Sequence, residues 1–327
     1  MNDKMPTDDV IRSAVALASR APSLHNSQPW RWVKEHDSLD LFGDPDRVLP
    51  STDAFGRQMI ISCGVALNHL QAAIAAAGWD TNVERLPDPS NRLHLAKISF
   101  QPSVNISEPE VERADAIARR RTDRLPFAAP TDWAIFEDVL RNVIRDNGSN
   151  FDVLPDDSRP QLAKASEFTA SMRRYDSMYQ AELQWWSGHS GLDDGVPNES
   201  LVSSAEDRRV GVGRRFPTVD TEQRRVEIDT DHAKLLVLTT RNDSQLQLLR
   251  CGEALSAVLL ECTIAGLATC PLTHLTEIPE SREIVRKLLG VTDIPQVIVR
   301  VGIAPKPADD QILTSRRPLA DVLEFRS

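Results

Sequence analysis

Apolar positions recur along this chain with the helical period in some stretches and with the strand period of two in others, and their alternation divides it into elements. From Thr7 the segment TDDVIRSAVALASRA reads as a helix: Thr7 or Asp8 can cap it, Val10, Ala14, Leu17 and Ala18 form an apolar stripe, and Pro22 stops it. SLHNSQPWRWVKEHDSLDLF follows as turn and then strand, with Trp30, Trp32 and the pair Leu39 and Phe42 expected in the core. Residues 57–79 predict a strongly apolar helix, and 92–101 alternate as a half-buried strand. A charged helix is expected over 110–121, another over 135–146, and one long helix over 160–186 carrying Tyr175, Tyr179, Trp185 and Trp186, the tryptophans read as core. Residues 187–221 are rich in Gly, Ser, Asp and Arg and hold no sustained period, as a lid or mobile functional loop would. HAKLLVLTT then reads as a buried strand, residues 248–268 as an apolar helix and QVIVRVGIA as a final buried strand.

The same pattern contains a repeat. CGVALNHLQAAIAAAG (63–78) lies over CGEALSAVLLECTIAG (251–266) without a gap at an offset of 188, with six of sixteen positions identical. Both begin Cys-Gly and both end in a glycine suited to a left-handed helix cap. Helices this apolar must be covered on most sides, so two such units are expected to pack as a pseudo-dimer. The expected domains are an N-terminal half, 1–112, and a C-terminal half, 113–327, the latter with a lid-like insertion near 187–221.

Composition narrows the function classes. With 327 residues, 41% hydrophobic and 26% charged, the chain can bury a large core, and its net charge of −10 argues against a dominant nucleic-acid or anionic-membrane surface. Of 38 basic residues 31 are arginine, so only the placement of individual arginines is informative. Cys63, Cys251, Cys262 and Cys270 make no disulfide framework, and Cys262, Cys270 and His274 do not have zinc spacing, so no metal site is expected. The first twenty residues are too polar for a secretory leader and no uninterrupted apolar run approaches a membrane span, which points to a reduced, cytoplasmic protein.

There is no P-loop, HExxH or GxSxG motif, and GVGRRF (211–216) begins like a dinucleotide fingerprint but ends in Phe216 with no strand before it. Two segments remain. In RRTDR, an extended chain before Pro126 would put Arg120, Thr122 and Arg124 on one side, where two guanidinium forks and a hydroxyl suit a phosphate; a basic helix end complementing its own dipole is the alternative. In APSLHNSQPWRW, two prolines stiffen a loop offering hydroxyls and amides that can read a heterocycle edge; the alternative is a capping turn with core tryptophans.

APSLHNSQPWRW resembles the PSxxNxQPW signature of nitroreductase-like flavoproteins, and RRTDRLPF resembles the motif with which they hold FMN phosphate. Together with GEALSAVLLECTIAGLATC, IPQVIVRVGIAP and TSRRPL, nearly the whole chain resembles the Acg branch of that superfamily, NAD(P)H nitroreductases found chiefly in actinobacteria. The resemblance implies an α+β nitroreductase-like fold in two pseudo-repeated halves, each with a mainly antiparallel sheet and helices. Simpler members are homodimers in which one subunit supplies the phosphate motif and its partner the PSxxNxQPW loop. Carried over, Arg120, Thr122 and Arg124, joined by Arg316 and Arg317 of TSRRP, would grip the phosphate. Pro22, Ser23, Leu24 and Asn26 would line the isoalloxazine ring, with Gln28 and Trp30 supporting that wall. Pro271, Thr273 and His274 match the segment passing N5, with His274 a candidate proton donor or a merely hydrogen-bonded neighbour. Simpler members usually have Glu-Gly there.

Each half lacks one of the two motifs, so a single hybrid site with one FMN per chain is expected. No second chain is then needed, and a monomer or weak homodimer follows. The leading function is an FMN oxidoreductase passing electrons from NAD(P)H to a nitro-aromatic, a quinone or a similar acceptor. The rival is an FMN-storing or stress-response protein with little turnover because a lid covers the flavin. A helical interaction protein is the third reading.

Overall fold

The computed structural model describes residues 5–145, 149–188, 193–217, 219, 222–305 and 314–326. The first helix starts where its sequence offers a cap: Thr7 Oγ1 accepts from the Val10 amide at 3.3 Å, and α1 (Asp8–Ala18) turns Ile11, Ala14, Val15 and Ala18 into the core. A tight hairpin follows, β1 (Trp30–Glu35) and β2 (Ser38–Gly43), with Trp30, Trp32, Leu39 and Leu41 fully buried. Phe42 is only half-buried and stacks on His94 instead of joining the core. Next come α2 (Arg57–Ala76), β3 (Trp79–Arg85), β4 (His94–Pro102) and α3 (Glu108–Arg119).

The second half runs α4 (Trp133–Ile144), β5 (Asn150–Val153), α5 (Arg159–Arg173), α6 (Ser177–Trp185), α7 (Ser204–Val210), β6 (Lys234–Thr240), α8 (Gln245–Ile264), β7 (Ala268–Leu272), α9 (His274–Glu277), α10 (Pro279–Leu289) and β8 (Ile294–Gly302). A short α11 (Leu319–Val322) leads into β9 (Leu323–Arg326), which crosses back to pair in parallel with β1. The fold is thus α+β. One sheet has the order β3-β4-β2-β1-β9 and the other β5-β6-β8-β7, so the four antiparallel strands of the second sheet follow the same order as β1-β2-β4-β3 of the first. In each half the long helix connects the second strand to the third. The halves differ between their first two strands: two residues in the first, residues 154–233 in the second.

Three expectations need correction. The long helix over 160–186 is two helices, because Asp176 accepts from the Tyr179 amide at 3.0 Å and caps a fresh start for α6. Trp185 is 72% exposed and not core. The stretch 187–221 holds α7, opened by a capping box between Ser203 and Glu206; within it residues 189–192, 218, 220 and 221 lie outside the described residues. Strands β3 and β5 have no counterpart in the sequence reading. Both are edge strands; β3 is half exposed along its length and β5 has four residues, so neither carries a strong apolar signal.

Helices α2 and α8 have twenty residues each at the offset of 188, and each ends in a glycine with positive φ, Gly78 at 85° and Gly266 at 72°. They cross where Gly64 meets Gly252. A Cβ on Gly64 would stand 2.1 Å from the Leu249 carbonyl oxygen, and one on Gly252 would stand 2.1 Å from that of Ile61. The contact is reciprocal under the same offset, as an isologous interface would be. By length and composition α2 could cross a bilayer, yet it lies inside the protein, against α8, α1 and α3. The four cysteines are free and buried.

Backbone against backbone leaves no flexible atom to yield, so Gly64→Ala and Gly252→Ala are each expected to cost about 3 kcal/mol or more. Urea unfolding of the two variants checks this, and the costs should be similar to each other because the contact is reciprocal.

Candidate active site

Arg120 is the first residue past α3, and its extended backbone leads residues 120–128 away from the helix. That segment is pinned to the second sheet. Thr122 bridges Thr269, the Asp123 amide donates to the Thr269 carbonyl at 2.9 Å, and Ala128 bridges Ile303. Arg300 donates to the Leu125 carbonyl at 2.9 Å and pairs with buried Asp231, which also accepts the Phe127 amide at 2.8 Å. Asp123 is in turn held by Arg225.

On the other side, the loop after α1 is held in a strained form. His25, Asn26 and Gln28 have φ of 50°, 58° and 50°, a region that non-glycine residues occupy at a cost of about 1–3 kcal/mol each unless their surroundings impose it. The surroundings do. Gln28, fully buried, donates to the Asp193 carbonyl at 2.8 Å and accepts the Arg317 amide at 2.9 Å; Asn26 donates to the Gly195 carbonyl at 3.1 Å.

The two segments meet over the crossing of α2 and α8. A cavity of about 120 Å³ has Ile61, Ser62, Val65 and Leu255 in its floor, Pro22, Ser23, Leu24 and His25 on one wall, and Thr122, Arg124, Pro271 and Thr273 on another. Two residues back along both chains is a cluster of guanidinium groups: Arg120 is 5% exposed, with Arg20, Arg121 and Arg316 half-buried about it. Arg120 Nη2 donates to the Arg20 carbonyl at 3.3 Å, and Arg316 donates to the Ser19 and Arg20 carbonyls at 2.8 and 3.1 Å, so both meet the C-terminal end of α1. Arg120 Nε and Nη1 are buried without a partner. Burial, then Arg20 and Arg121, bring Arg120 down to about 10, and burial, Arg20 and Arg120 hold Arg316 well below its ordinary value. Every charge acting on these two is another arginine.

This divides the RRTDR residues, which were expected to converge on one spot. Arg120 turns toward α1 and Arg316, because α3 ends at Arg119 and the carbonyls of the α1 terminus attract it. Thr122 and Arg124 turn into the cavity, where Arg124 lies 5.2 Å over the Phe216 ring. Other expected residues serve the frame: Asn26 and Gln28 clasp the insertion, Trp30 is core, and Arg317 pairs with Asp44 at 3.4 Å and does not join the cluster. His274 does not line this cavity. Burial and the neighbouring Arg214 hold it at about 3, so it is neutral near pH 7, with Nε2 2.7 Å from Ser166 Oγ. A proton-donor role finds no support in that placement.

Sequence reasoning passed over His25, Gln58, Arg214, Phe216 and Glu277. Arg214, from the insertion, pairs with Glu277 and donates to Tyr179 Oη at 2.9 Å and Thr273 Oγ1 at 3.2 Å. Burial alone would raise Glu277, but the Arg214 charge, its hydrogen bond and that of Gln58 hold it at about 2. His25 is buried with both ring nitrogens unpartnered, its ring edge-on to Phe216 at 5.4 Å. The available signal was GVGRRF: two arginines and an aromatic directly after two glycines in a long insertion, seen only as a failed nucleotide motif.

The Nitroreductase family profile matches residues 189–303. A Mycobacterium tuberculosis protein described as "Putative NAD(P)H nitroreductase acg" is 52% identical over 100% of this chain and 99% of its own length. The chain belongs to the nitroreductase family. A second relative from the same organism, described as "Putative NAD(P)H nitroreductase Rv3131", is 40% identical to this nitroreductase-family chain, over 99% of it and 94% of the relative. Among solved structures, the FMN-dependent nitroreductase NfnB of Mycobacterium smegmatis, in complex with NADPH, is 17% identical, covering 66% of this chain and 98% of its own at a TM-score of 0.42.

The site's histidines set an acid limit on this nitroreductase-family protein. His25, His69 and His274 are held below the usual 6.5 by burial first, then by arginines: Arg214 at His25 and His274, Arg120 at His69. Each is deprotonated when folded and gains a proton on unfolding, so its contribution is complete above 6.5 and is lost as pH falls toward the folded value, about 3 for His274. Asp53, raised by burial to about 6, acts in the opposite sense between 3.8 and that value, as do Asp152 and Asp207, also raised by burial, above 3.8. Denaturant melts from about pH 7 to about pH 5 should show stability falling by up to about 1.4 kcal/mol per pH unit for each histidine.

Proposed function

We propose that this chain is an FMN-dependent oxidoreductase that takes electrons from NAD(P)H and passes them to a small nitro-aromatic, quinone or similar acceptor. The observation that carries the reading is the cluster of Arg20, Arg120 and Arg316, without an ion pair among the described residues, placed two residues from a cavity with a polar and apolar lining. The donor set suits FMN: Arg120 has two buried N–H groups without acceptors and His25 two ring nitrogens without partners. Arg214 and Phe216 also line the cavity, whose room of about 120 Å³ is below the ~300–1,000 Å³ of small-molecule sites, so FMN would enter only as these side chains move aside.

FMN, when bound, supplies the redox chemistry, accepting electrons from NAD(P)H and delivering them to the acceptor. The chain binds and orients. Arg20, Arg120 and Arg316 would neutralise the phosphate. Pro22, Ser23, Leu24, Thr122, Pro271 and Thr273 would face the ring, and Arg124 would keep positive charge beside it. The shared strand order and the reciprocal helix crossing support an origin by internal duplication, with halves dividing near residue 112. The loop of the first half and the arginines of the second then make one site, holding one FMN per chain without a partner subunit.

A storage protein with little turnover is favoured by one observation, the clasp of residues 193–195 on Asn26, Gln28 and Arg47. Anaerobic mixing with NADPH or NADH decides: bleaching of the flavin absorbance is expected, and persistent colour would favour storage. Flavin titration should saturate near one per chain, and Arg120→Ala should weaken retention by about tenfold or more with the fold intact by circular dichroism. Undiminished flavin affinity in that variant would remove the phosphate role from the cluster.

A further inference from the structure

A second chamber lies on the outer side of Arg214 and Phe216, enclosed by α5, α6 and residues 214–217. Its volume is about 370 Å³, within the ~300–1,000 Å³ of small-molecule sites. Four arginines line it, Arg173, Arg174, Arg214 and Arg215, along with hydroxyls such as Ser166 and Thr169, and among the described residues no carboxylate does.

The acids nearby are turned to other tasks or weakly held. Asp176, 3.1 Å from Arg173, spends its other oxygen capping α6; Glu277 is locked under Arg214; Glu167 is 3.7 Å from Arg215 in an exposed pair of the kind worth about 0–1 kcal/mol. Arg174 forms no ion pair among the described residues. Two buried polar atoms on the chamber's lining residues lack partners, Arg173 Nε and His274 Nδ1.

We propose that this chamber binds a small molecule bearing phosphate groups. Several forked donors with no lining acid fit a multiply charged anion better than a monocarboxylate, which one guanidinium would satisfy. The occupant would share Arg214 and Phe216 with the inner cavity, so its uncharged portion would lie next to whatever that cavity holds.

Calorimetric titration of the full chain with inorganic pyrophosphate tests this at fixed ionic strength, on wild type, on Arg120→Ala and on the double variant Arg173→Ala/Arg174→Ala. Saturable binding is expected in wild type and in Arg120→Ala, weakened about tenfold or more in the double variant, with benzoate binding about tenfold less tightly than pyrophosphate. The proposal is overturned if wild type shows no saturable binding, if benzoate binds as well, or if binding is lost in Arg120→Ala and kept in the double variant. The Arg120→Ala arm separates this chamber from the inner arginine cluster, so the outcome stands whether or not the protein takes up flavin.

Discussion

Two helices cross at a point with no side chain on either of them. At Gly64 and Gly252 the backbones of α2 and α8 come so close that a single methyl group would meet a carbonyl oxygen. The crossing fixes how the two sheets face each other, and the cavity sits directly on it, with Ile61, Ser62 and Val65 from one helix and Leu255 from the other in its floor. The loop of residues 22–28 and the segment 120–128 are separated by nearly a hundred residues in sequence. They share a cavity because each is anchored to its own half, and the halves are locked at the glycines.

The electrostatics depend on that lock in turn. Clustering guanidinium groups where one is buried and none is matched by an acid is unfavourable on its own, since desolvation and mutual repulsion act in the same direction. The fold tolerates it because the free carbonyls at the end of α1 supply partial negative charge, and those carbonyls satisfy Arg316 and part of Arg120. Among the described residues, nothing satisfies the remaining N–H groups of Arg120.

The helices and buried strands were legible wherever burial was one-sided or total: α1 from its cap and stripe, α2 and α8 from their unbroken apolar faces, β6 and β8 from their Val and Leu runs. The edge strands β3 and β5 were not, because an edge needs few apolar residues. A capping aspartate hid the break between α5 and α6 inside a helix-favouring stretch. Of the site, the resemblance pointed to Pro22, Ser23, Leu24, Thr122, Arg124, Pro271 and Thr273, which meet at one cavity, and to Arg120 and Arg316. It could not show that Arg120 and Arg124 point to different places, since that depends on where α3 ends and what lies beside its last turn. Arg214 and Phe216 were passed over for another reason: they come from an insertion with no counterpart in the other half, and GVGRRF was tested there only as a nucleotide motif.

That insertion explains how two halves of matching strand order arrive at an asymmetric site. A symmetric pair of halves would build two equivalent cavities about the glycine crossing. Here β1 and β2 are joined by two residues, whereas residues 154–233 stand between β5 and β6, and their polypeptide reaches back over the first half's loop through Asp193, Asp194 and Gly195. The same excursion delivers Arg214 into the wall, where Glu277 and Thr273 hold it from the second half. Strain at His25, Asn26 and Gln28 therefore has a counterweight on each side, the Arg317 amide and the insertion's carbonyls. Having both halves on a single chain makes this arrangement available. In a symmetric homodimer any segment that elaborated one cavity would have to appear at the other, while a single chain can close one site and shape the second without matching them.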